Sequence, residues 1–215
     1  GRALQTVNPP NASVGNSQTA PTIITGQTAE TSIATDDLIL LSDTSASGAL
    51  KKMTRANFVS GIGGTNTPAF EICLNSAQTI SSLTATKVAL DNARIDTASS
   101  FDATNDRWVV PSGQGGKYFV SYQVFGDSGA GDNLLIVEGM LRINGSNSVS
   151  SIIDFRNNGG RMASTSNSAI LSLNATDYIE LWGTVYDTTG SPQFGGGSSG
   201  AEAYKSHITG YKIIE

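Results

Sequence analysis

The sequence contains few of the side chains on which most catalytic and metal sites depend. His207 is the only histidine and Cys73 the only cysteine among 215 residues. A single histidine excludes a multi-histidine metal site and leaves no histidine network for proton transfer. A single cysteine excludes an internal disulfide, so the fold must rely on its hydrophobic core. We interpret both residues as packing or surface residues and expect no cofactor.

Charged residues and long apolar runs are also scarce. Asp, Glu, Lys and Arg make up 14% of the chain, and the formal net charge is −5. Binding to nucleic acid requires clustered Lys and Arg, so we expect no nucleic-acid partner. A membrane-spanning helix needs about 20 apolar residues, and no apolar run approaches this length. The run "LILL" at 38–41 is typical, and no membrane insertion is expected.

One motif resembles a catalytic one in form. Gly196, Ser198 and Gly200 give the pattern G-x-S-x-G. This pattern acts as a nucleophile elbow only between a strand and a helix, with an acid and a histidine to activate the serine. No helical pattern follows Ser198, and no phosphate-binding glycine loop is present. The sequence therefore predicts a protein that is not an enzyme, with a hydrolase using Ser198 or His207 as the last alternative.

The chain is predicted to have three parts: an extended N-terminal arm at 1–35, a small unit at 36–65, and a main domain at 66–215. The arm has almost no large apolar residues, so it cannot offset its own ordering entropy. We expect sister subunits or a larger assembly to order it. The chain starts at Gly1 without a signal-peptide pattern, which suggests a processed product or a fragment.

The small unit combines a hairpin with a short helix. "DDLILLSD" reads as a strand, "TSASG" as a turn and "ALKKM" as the returning strand, and Thr54 can cap the helix "RANFVSG". This stretch resembles a short unit that recurs in bacteriophage tail and head fibre proteins. The resemblance implies attachment to other virion proteins through residues 1–62. Its candidate attachment residues are Leu38, Leu40, Lys51, Lys52, Arg55 and Phe58.

From Phe70 onward the pattern is all-β, since short runs rich in Val, Ile, Tyr, Phe and Thr alternate with Gly, Asn, Asp and Ser clusters. Many short strands without helices indicate a sandwich or barrel, and a jelly roll is favoured. Strands are predicted near 70–75, 86–91, 107–110, 117–125, 134–143, 148–155, 168–173, 178–187 and 203–214.

Several motifs of this domain occur in a characteristic order: "FDATNDRW", Pro111, "GKYFVSY", "LSLNATDYIEL" and "SHITGYKII". In this order they resemble the C1q/TNF-type jelly roll over nearly all of residues 70–214. The resemblance implies a homotrimeric sandwich. Val120 stands where the family usually has Phe, and Thr176 replaces a Gly. No collagen-like tract precedes the domain, so a collagen stalk is not implied.

Strand parity places the loops of the main domain. If consecutive strands from 117 onward run up and down, the connections 126–133, 156–167 and 188–202 share one end, and the turns 144–147 and 174–177 share the other. Long loops carry binding because they vary while the scaffold stays fixed. The receptor-binding candidates are Asp127, Asp132, Asn133, Arg156, Asn157, Asn158, Arg161, Gln193, Phe194 and Ser198.

Two of these loop residues have a second possible role, and a third has two possible locations. Asp127 and Asp132 could offer oxygens to calcium, although their spacing is not that of a known calcium loop. Phe194 could be an exposed contact of the flexible "TTGSPQFGGGSSG" loop or could fill the trimer axis.

The preferred hypothesis is a trimeric phage fibre or spike protein, exposed on the virion after assembly in the host cytoplasm. Its head would recognise a host-surface glycan or protein, and its N-terminal part would attach to the virion. A capsid decoration or head-fibre protein is the alternative among structural proteins. A secreted C1q-like recognition protein is the alternative of another class.

Overall fold

The computed structural model describes residues 25–26, 28–60, 66–188, 191–197 and 205–213. The chain forms two compact units, Gly1–Ile62 and Gly63–Glu215, and each is described by itself. We call the second unit the head. In the described residues, no helix is both long and apolar enough to cross a membrane.

The first unit contains a two-stranded hairpin followed by a short helix. Its elements are β1 (Leu38–Asp43), a 3-10 turn (Thr44–Ala46), β2 (Ala49–Thr54) and α1 (Arg55–Ser60). β1 and β2 pair antiparallel, with Leu38 opposite Thr54 and Asp43 opposite Ala49. Asn57 donates its backbone N–H to Thr54 Oγ1 at 3.3 Å. This bond gives Thr54 the position of an N-cap, because the hydroxyl satisfies an N–H that has no partner inside the helix.

The regular elements described in the head are all strands. They are β3 (Ala69–Cys73), β4 (Gln78–Thr79), β5 (Thr86–Lys87), β6 (Asn92–Asp96), β7 (Phe101–Asp102), β8 (Arg107–Val109), β9 (Gly116–Asp127), β10 (Leu134–Ile143), β11 (Ser146–Asp154), β12 (Met162–Leu173), β13 (Tyr178–Asp187), β14 (Gln193–Phe194) and β15 (His207–Lys212).

These strands form two antiparallel sheets. One has the order β11-β10-β13-β8-β7, with β5 also paired to β13. The other has the order β4-β14-β9-β15-β3-β6, with β12 also paired to β9. The eight principal strands are thus β3, β15, β9 and β12 in one sheet and β8, β13, β10 and β11 in the other. Neighbouring strands that are distant in sequence are typical of Greek-key connections. The predicted all-β jelly-roll sandwich is therefore confirmed.

The core lies between the sheets and follows the two-residue period of the strands. Tyr118, Val120, Tyr122 and Val124 of β9 are each 0% exposed, as the alternation in "KYFVSYQVF" predicts. Buried residues of β13, such as Leu181, belong to the same cluster. The two sheets therefore cover each other's apolar faces.

Several strand boundaries differ from the sequence prediction. β4, β6, β7 and β14 were not predicted, because most are too short to show a period. β12 begins at Met162 instead of 168, and its first half reads "MASTSN". These polar residues can form a strand because β12 pairs with β9 along its whole length, which provides partners for their backbone N–H and C=O groups. Alternate side chains face solvent. The predicted loop 156–167 is therefore only half as long.

Candidate functional site

Three loops meet at one end of the head. We call residues 128–133, 155–161 and 188–192 the tip loops; residues 189–190 among them lie outside the described part. The strands that carry these loops end together, since Asp127 pairs with Met162 and Leu134 pairs with Asp187. The structure thus brings the three loops to one end, as the strand parity predicts.

Backbone hydrogen bonds join the tip loops to one another. Ser128 donates its N–H to Arg161 O at 3.0 Å, and Thr188 donates to Asn133 O at 3.3 Å. Leu134 and Gly160 exchange backbone hydrogen bonds of 2.8 and 3.0 Å. These contacts fix the bases of the loops, so the exposed residues between them are held on a defined surface.

The opposite end of the head, the base, carries tight turns. Asn144 donates its side-chain N–H to Asp177 Oδ1 at 2.8 Å, and Tyr178 donates its backbone N–H to Asn144 Oδ1 at 3.0 Å. The hydrogen bond from Asn144, together with the backbone N–H of Asn174, lowers the pKa of Asp177. The two turns predicted to share this end are therefore in direct contact.

The polypeptide also enters the head at the base. Lys212, at the end of β15, donates its N–H to Pro68 O at 3.0 Å, immediately before β3 begins. In the same region Gly116 starts β9, and a Cβ added there would lie 3.0 Å from Lys212 Cε. The segment leading into the head therefore arrives at the end opposite the tip loops.

Asp127 is buried at the root of the tip, with 8% of its surface exposed. Its Oδ1 accepts the N–H of Gly129 at 2.8 Å and lies 3.8 Å from Arg161 Nε. Its Oδ2 lies 3.5 Å from Gln193 Nε2. The described residues contain no group of three or more His, Cys, Asp or Glu able to hold a metal ion. Calcium binding by Asp127 and Asp132 stays a prediction.

The loop 155–161 carries an open depression of about 830 Å³. Its described lining residues are Asp154, Phe155, Arg156, Asn157 and Asn158. Arg156 Nε donates to both carboxylate oxygens of Asp154, at 3.0 and 2.8 Å, and Nη2 also contacts Oδ2. This pairing lowers the pKa of Asp154 and raises that of Arg156. The charges of these described lining residues are thus matched, and they combine amides with an ion pair.

Phe194 is neither an exposed loop contact nor a filler of a trimer axis, and both expectations were wrong. Its side chain is 0% exposed and belongs to the core of the head. Phe194 lies in β14, which pairs with both β9 and β4. A Cβ added to Gly183 of β13 would lie 2.9 Å from Phe194 Cε1. Phe194 therefore anchors the middle of the predicted 188–202 loop.

The glycines after Phe194 permit close packing in the described part of the segment. A Cβ on Gly195 would lie 2.3 Å from Phe125 Cδ1, and one on Gly196 would lie 2.6 Å from Leu74 Cγ. Such distances exclude a side chain unless the structure moves. Pro192 and Phe194 are both buried, but no sequence pattern reveals this packing, because glycines are equally compatible with a flexible loop.

The other candidate residues of the tip vary in exposure. Asp132 and Arg161 are exposed, and Gln193 is partly buried. Asn133 is partly buried and donates its side-chain N–H to Ala130 O at 2.8 Å. Ser198 and Gly200 lie outside the described residues, so the G-x-S-x-G pattern has no described geometry.

The hairpin of the first unit exposes large apolar side chains on one face. Leu38, Leu40 and Leu50 are 58%, 70% and 71% exposed, and Phe58 on α1 is 46% exposed. Lys51 forms an ion pair with Asp43 at 2.7 Å. Lys52 is exposed and Arg55 is partly buried. Most of the predicted arm at 1–35 lies outside the described residues.

The outer face of the sheet containing β9 carries a second apolar surface, which we call the lateral patch: Phe119, Ile170 and Tyr211. Phe119 pairs with Ile170 of β12 and with Tyr211 of β15. The ring centroids of Phe119 and Tyr211 are 5.6 Å apart. The side chain of Ile170 is 64% exposed. These three neighbouring apolar side chains lie on the face that the head's own core leaves uncovered.

Comparison with known proteins finds similarity in structure. No protein-family model and no curated protein matches the sequence. Similar solved structures include the globular domain of zebrafish complement 1qA, 15% identical over 69% of this chain and 99% of that chain, with a TM-score of 0.46. They also include Eiger TNF from S. frugiperda, 18% identical over 68% of this chain and 92% of that one, with a TM-score of 0.48. Murine APRIL is 13% identical over 67% and 99% of the two chains, with a TM-score of 0.46.

Proposed function

We propose that this protein is a trimeric fibre or spike protein of a phage virion. Its tip loops recognise a glycan or protein of the host surface, and residues 1–62 attach the chain to other virion proteins. The observation that carries this proposal is the position of the three tip loops at the end opposite to the point where the chain enters the head. A head held from its base presents these loops outward.

The lateral patch supports assembly into a trimer. Exposed neighbouring apolar side chains indicate an interaction surface, and contact with sister heads would bury Phe119, Ile170 and Tyr211. Trimerisation presents three copies of the tip in parallel. Individually weak contacts then act at a high effective concentration, so overall attachment is strong.

The leucine face of the N-terminal hairpin supports attachment through the first unit. A two-stranded hairpin is at most marginally stable alone, and Leu38, Leu40 and Leu50 lose contact with water only when another surface covers them. Burial of such side chains contributes about 1.5–3 kcal/mol each. Other virion proteins provide that surface in our proposal.

The orientation of the head is tested by site-specific gold labels on particles that carry this chain. Cys73 is buried, and burial raises the pKa of its thiol to about 11, so an introduced surface cysteine is the reactive one. We would label Ala130→Cys in the tip and, as the matched control, Ser146→Cys at the base. β10 separates the two positions, so the labels should differ by about 30 Å in distance from the particle.

We expect gold at residue 130 to lie farther from the particle than gold at residue 146. The reverse order would mean that the tip faces the particle, and particles without any label would contradict the virion assignment.

Recognition of the host is tested separately by competition. Excess purified full-length protein should prevent labelled particles from adsorbing to their host cells, because it occupies the same surface sites. Undiminished adsorption would favour the capsid decoration alternative.

A further inference from the structure

The sequence contains two Asn–Gly pairs, and the structure places them at opposite ends of the head. Asn144–Gly145 lies in a turn of the base, and Asn158–Gly159 lies in a tip loop. Both asparagines are exposed to solvent. Exposure therefore does not distinguish the two pairs, whereas the hydrogen bonds of their side chains do.

Asn–Gly pairs can lose ammonia without an enzyme. The backbone nitrogen of glycine attacks Cγ of the asparagine, helped by the absence of a Cβ on glycine. A C–N bond forms, Nδ2 leaves as ammonia, and a cyclic succinimide remains. Water then opens either carbonyl of the ring, which gives aspartate or isoaspartate. Water is the only co-reactant, and no group is oxidised or reduced.

The side-chain amide of Asn144 is held in place at both of its polar atoms. Nδ2 donates to Asp177 Oδ1 at 2.8 Å, and Oδ1 accepts the N–H of Tyr178 at 3.0 Å. The backbone N–H of Asn144 also donates to Tyr178 O at 3.1 Å. Attack on Cγ requires the amide to rotate, which breaks these side-chain bonds.

Asn158 lacks this restraint. Within the described part of the chain, its side chain makes no hydrogen bond, and neither does the N–H of Gly159. Its backbone N–H donates to Phe155 O at 2.7 Å and closes the turn. Gly159 cannot be replaced without disturbing the loop, because a Cβ there would lie 2.5 Å from Asp132 O. The reactive pair is therefore built into the packing of the tip.

We propose that Asn158 is a site of spontaneous deamidation and that Asn144 is protected by its hydrogen bonds. The reaction replaces a neutral amide by a carboxylate in the depression where Asp154 and Arg156 balance each other. The described lining of the depression, with Asp154, Arg156 and the new carboxylate, then carries one net negative charge, and isoaspartate also adds a methylene to the backbone. The surface of the tip thus changes with the age of the protein. This inference does not depend on the proposed function.

Peptide mapping of the native full-length chain tests the proposal. Trypsin cleaves after Arg142, Arg156 and Arg161, so Asn144 and Asn158 fall in separate peptides, 143–156 and 157–161. After incubation at mildly alkaline pH, we expect 157–161 to deamidate on the order of tenfold faster than 143–156, since two hydrogen bonds must open at Asn144. The products at Asn158 should include isoaspartate, detected by an isoaspartyl methyltransferase.

Denaturation provides the control. In concentrated urea the hydrogen bonds of Asn144 are lost, and the two rates should converge. Asp177→Ala should raise the native rate of peptide 143–156, because it removes the acceptor of Asn144 Nδ2. Equal native rates at the two sites, aspartate without isoaspartate at Asn158, or a rate at Asn144 that Asp177→Ala leaves unchanged would each overturn the proposal.

Discussion

Phe194 is the side chain on which the conformation of the segment after β13 depends. Its ring lies against Gly183, and its backbone joins β9 to β4. The ring of Phe194 fills space that is open because Gly183 has no side chain. Removing the ring would therefore leave a cavity in the core. The segment is therefore a structural part of the head, and deleting residues 192–199 should destabilise the head.

The Phe194→Ala variant should be about 3–5 kcal/mol less stable than the parent, as expected for removal of a buried aromatic ring. The measurement is the guanidinium unfolding curve at a fixed protein concentration, because assembly shifts the midpoint. Gln193→Ala is the matched control, since Gln193 is the neighbouring, only partly buried residue of β14. A change at Phe194 no larger than that at Gln193 would contradict its role in the core.

Phe194 also shows what the sequence could not predict at this scale. The inward residues of β9 follow from alternation alone, because the period of a strand fixes which side chains share a face. The burial of Phe194 depends on Gly183, which lies in the other sheet and acts through the absence of a side chain. A run of glycines is equally compatible with a flexible loop and with a tightly packed segment.

At the scale of elements, the outer faces of the two sheets differ in character. The sheet with β9 carries the lateral patch, whereas β11 of the other sheet exposes Ile152 among serines. Ile170 and Ile152 are 64% and 60% exposed in the single chain. Substitutions at these two isoleucines can therefore be compared directly, because we expect them to differ in their effect on assembly, whereas their exposure is similar.

Ile170→Glu should weaken trimer formation by about 100-fold or more, because assembly would bury an unpaired charge. Ile152→Glu should leave assembly unchanged. Neither change should alter the stability of the folded head by more than about 0.5 kcal/mol, since both sites are exposed surface positions. Sedimentation equilibrium over a dilution series measures the association, and equal behaviour of the two variants would exclude the lateral patch as the interface.

The elements that the sequence predicted well are those with long periodic patterns or clear capping residues. β9, β10 and β13 fall within two residues of their predicted bounds, and Thr54 occupies the predicted N-cap. The two-residue strands have no period to read, and the first half of β12 lacks apolar residues. Their pairing is determined by neighbouring strands, which a single sequence does not show.

At the scale of the whole head, topology explains why the candidate site lies where it does. Antiparallel strands of similar length send alternate connections to opposite ends, so the tip loops and the tight turns separate. This arrangement was predictable because it depends on the number and order of the long strands. The chemistry of the tip was less predictable, since the pairing of Arg156 with Asp154 and the burial of Asp127 depend on side-chain geometry.

The central claim is that three copies of this chain assemble and present their tips together. The most direct test is the mass of the full-length protein in solution at micromolar concentration, measured by light scattering. We predict three times the chain mass of 22.3 kDa, persisting on dilution. A stable monomer at that concentration would contradict the account.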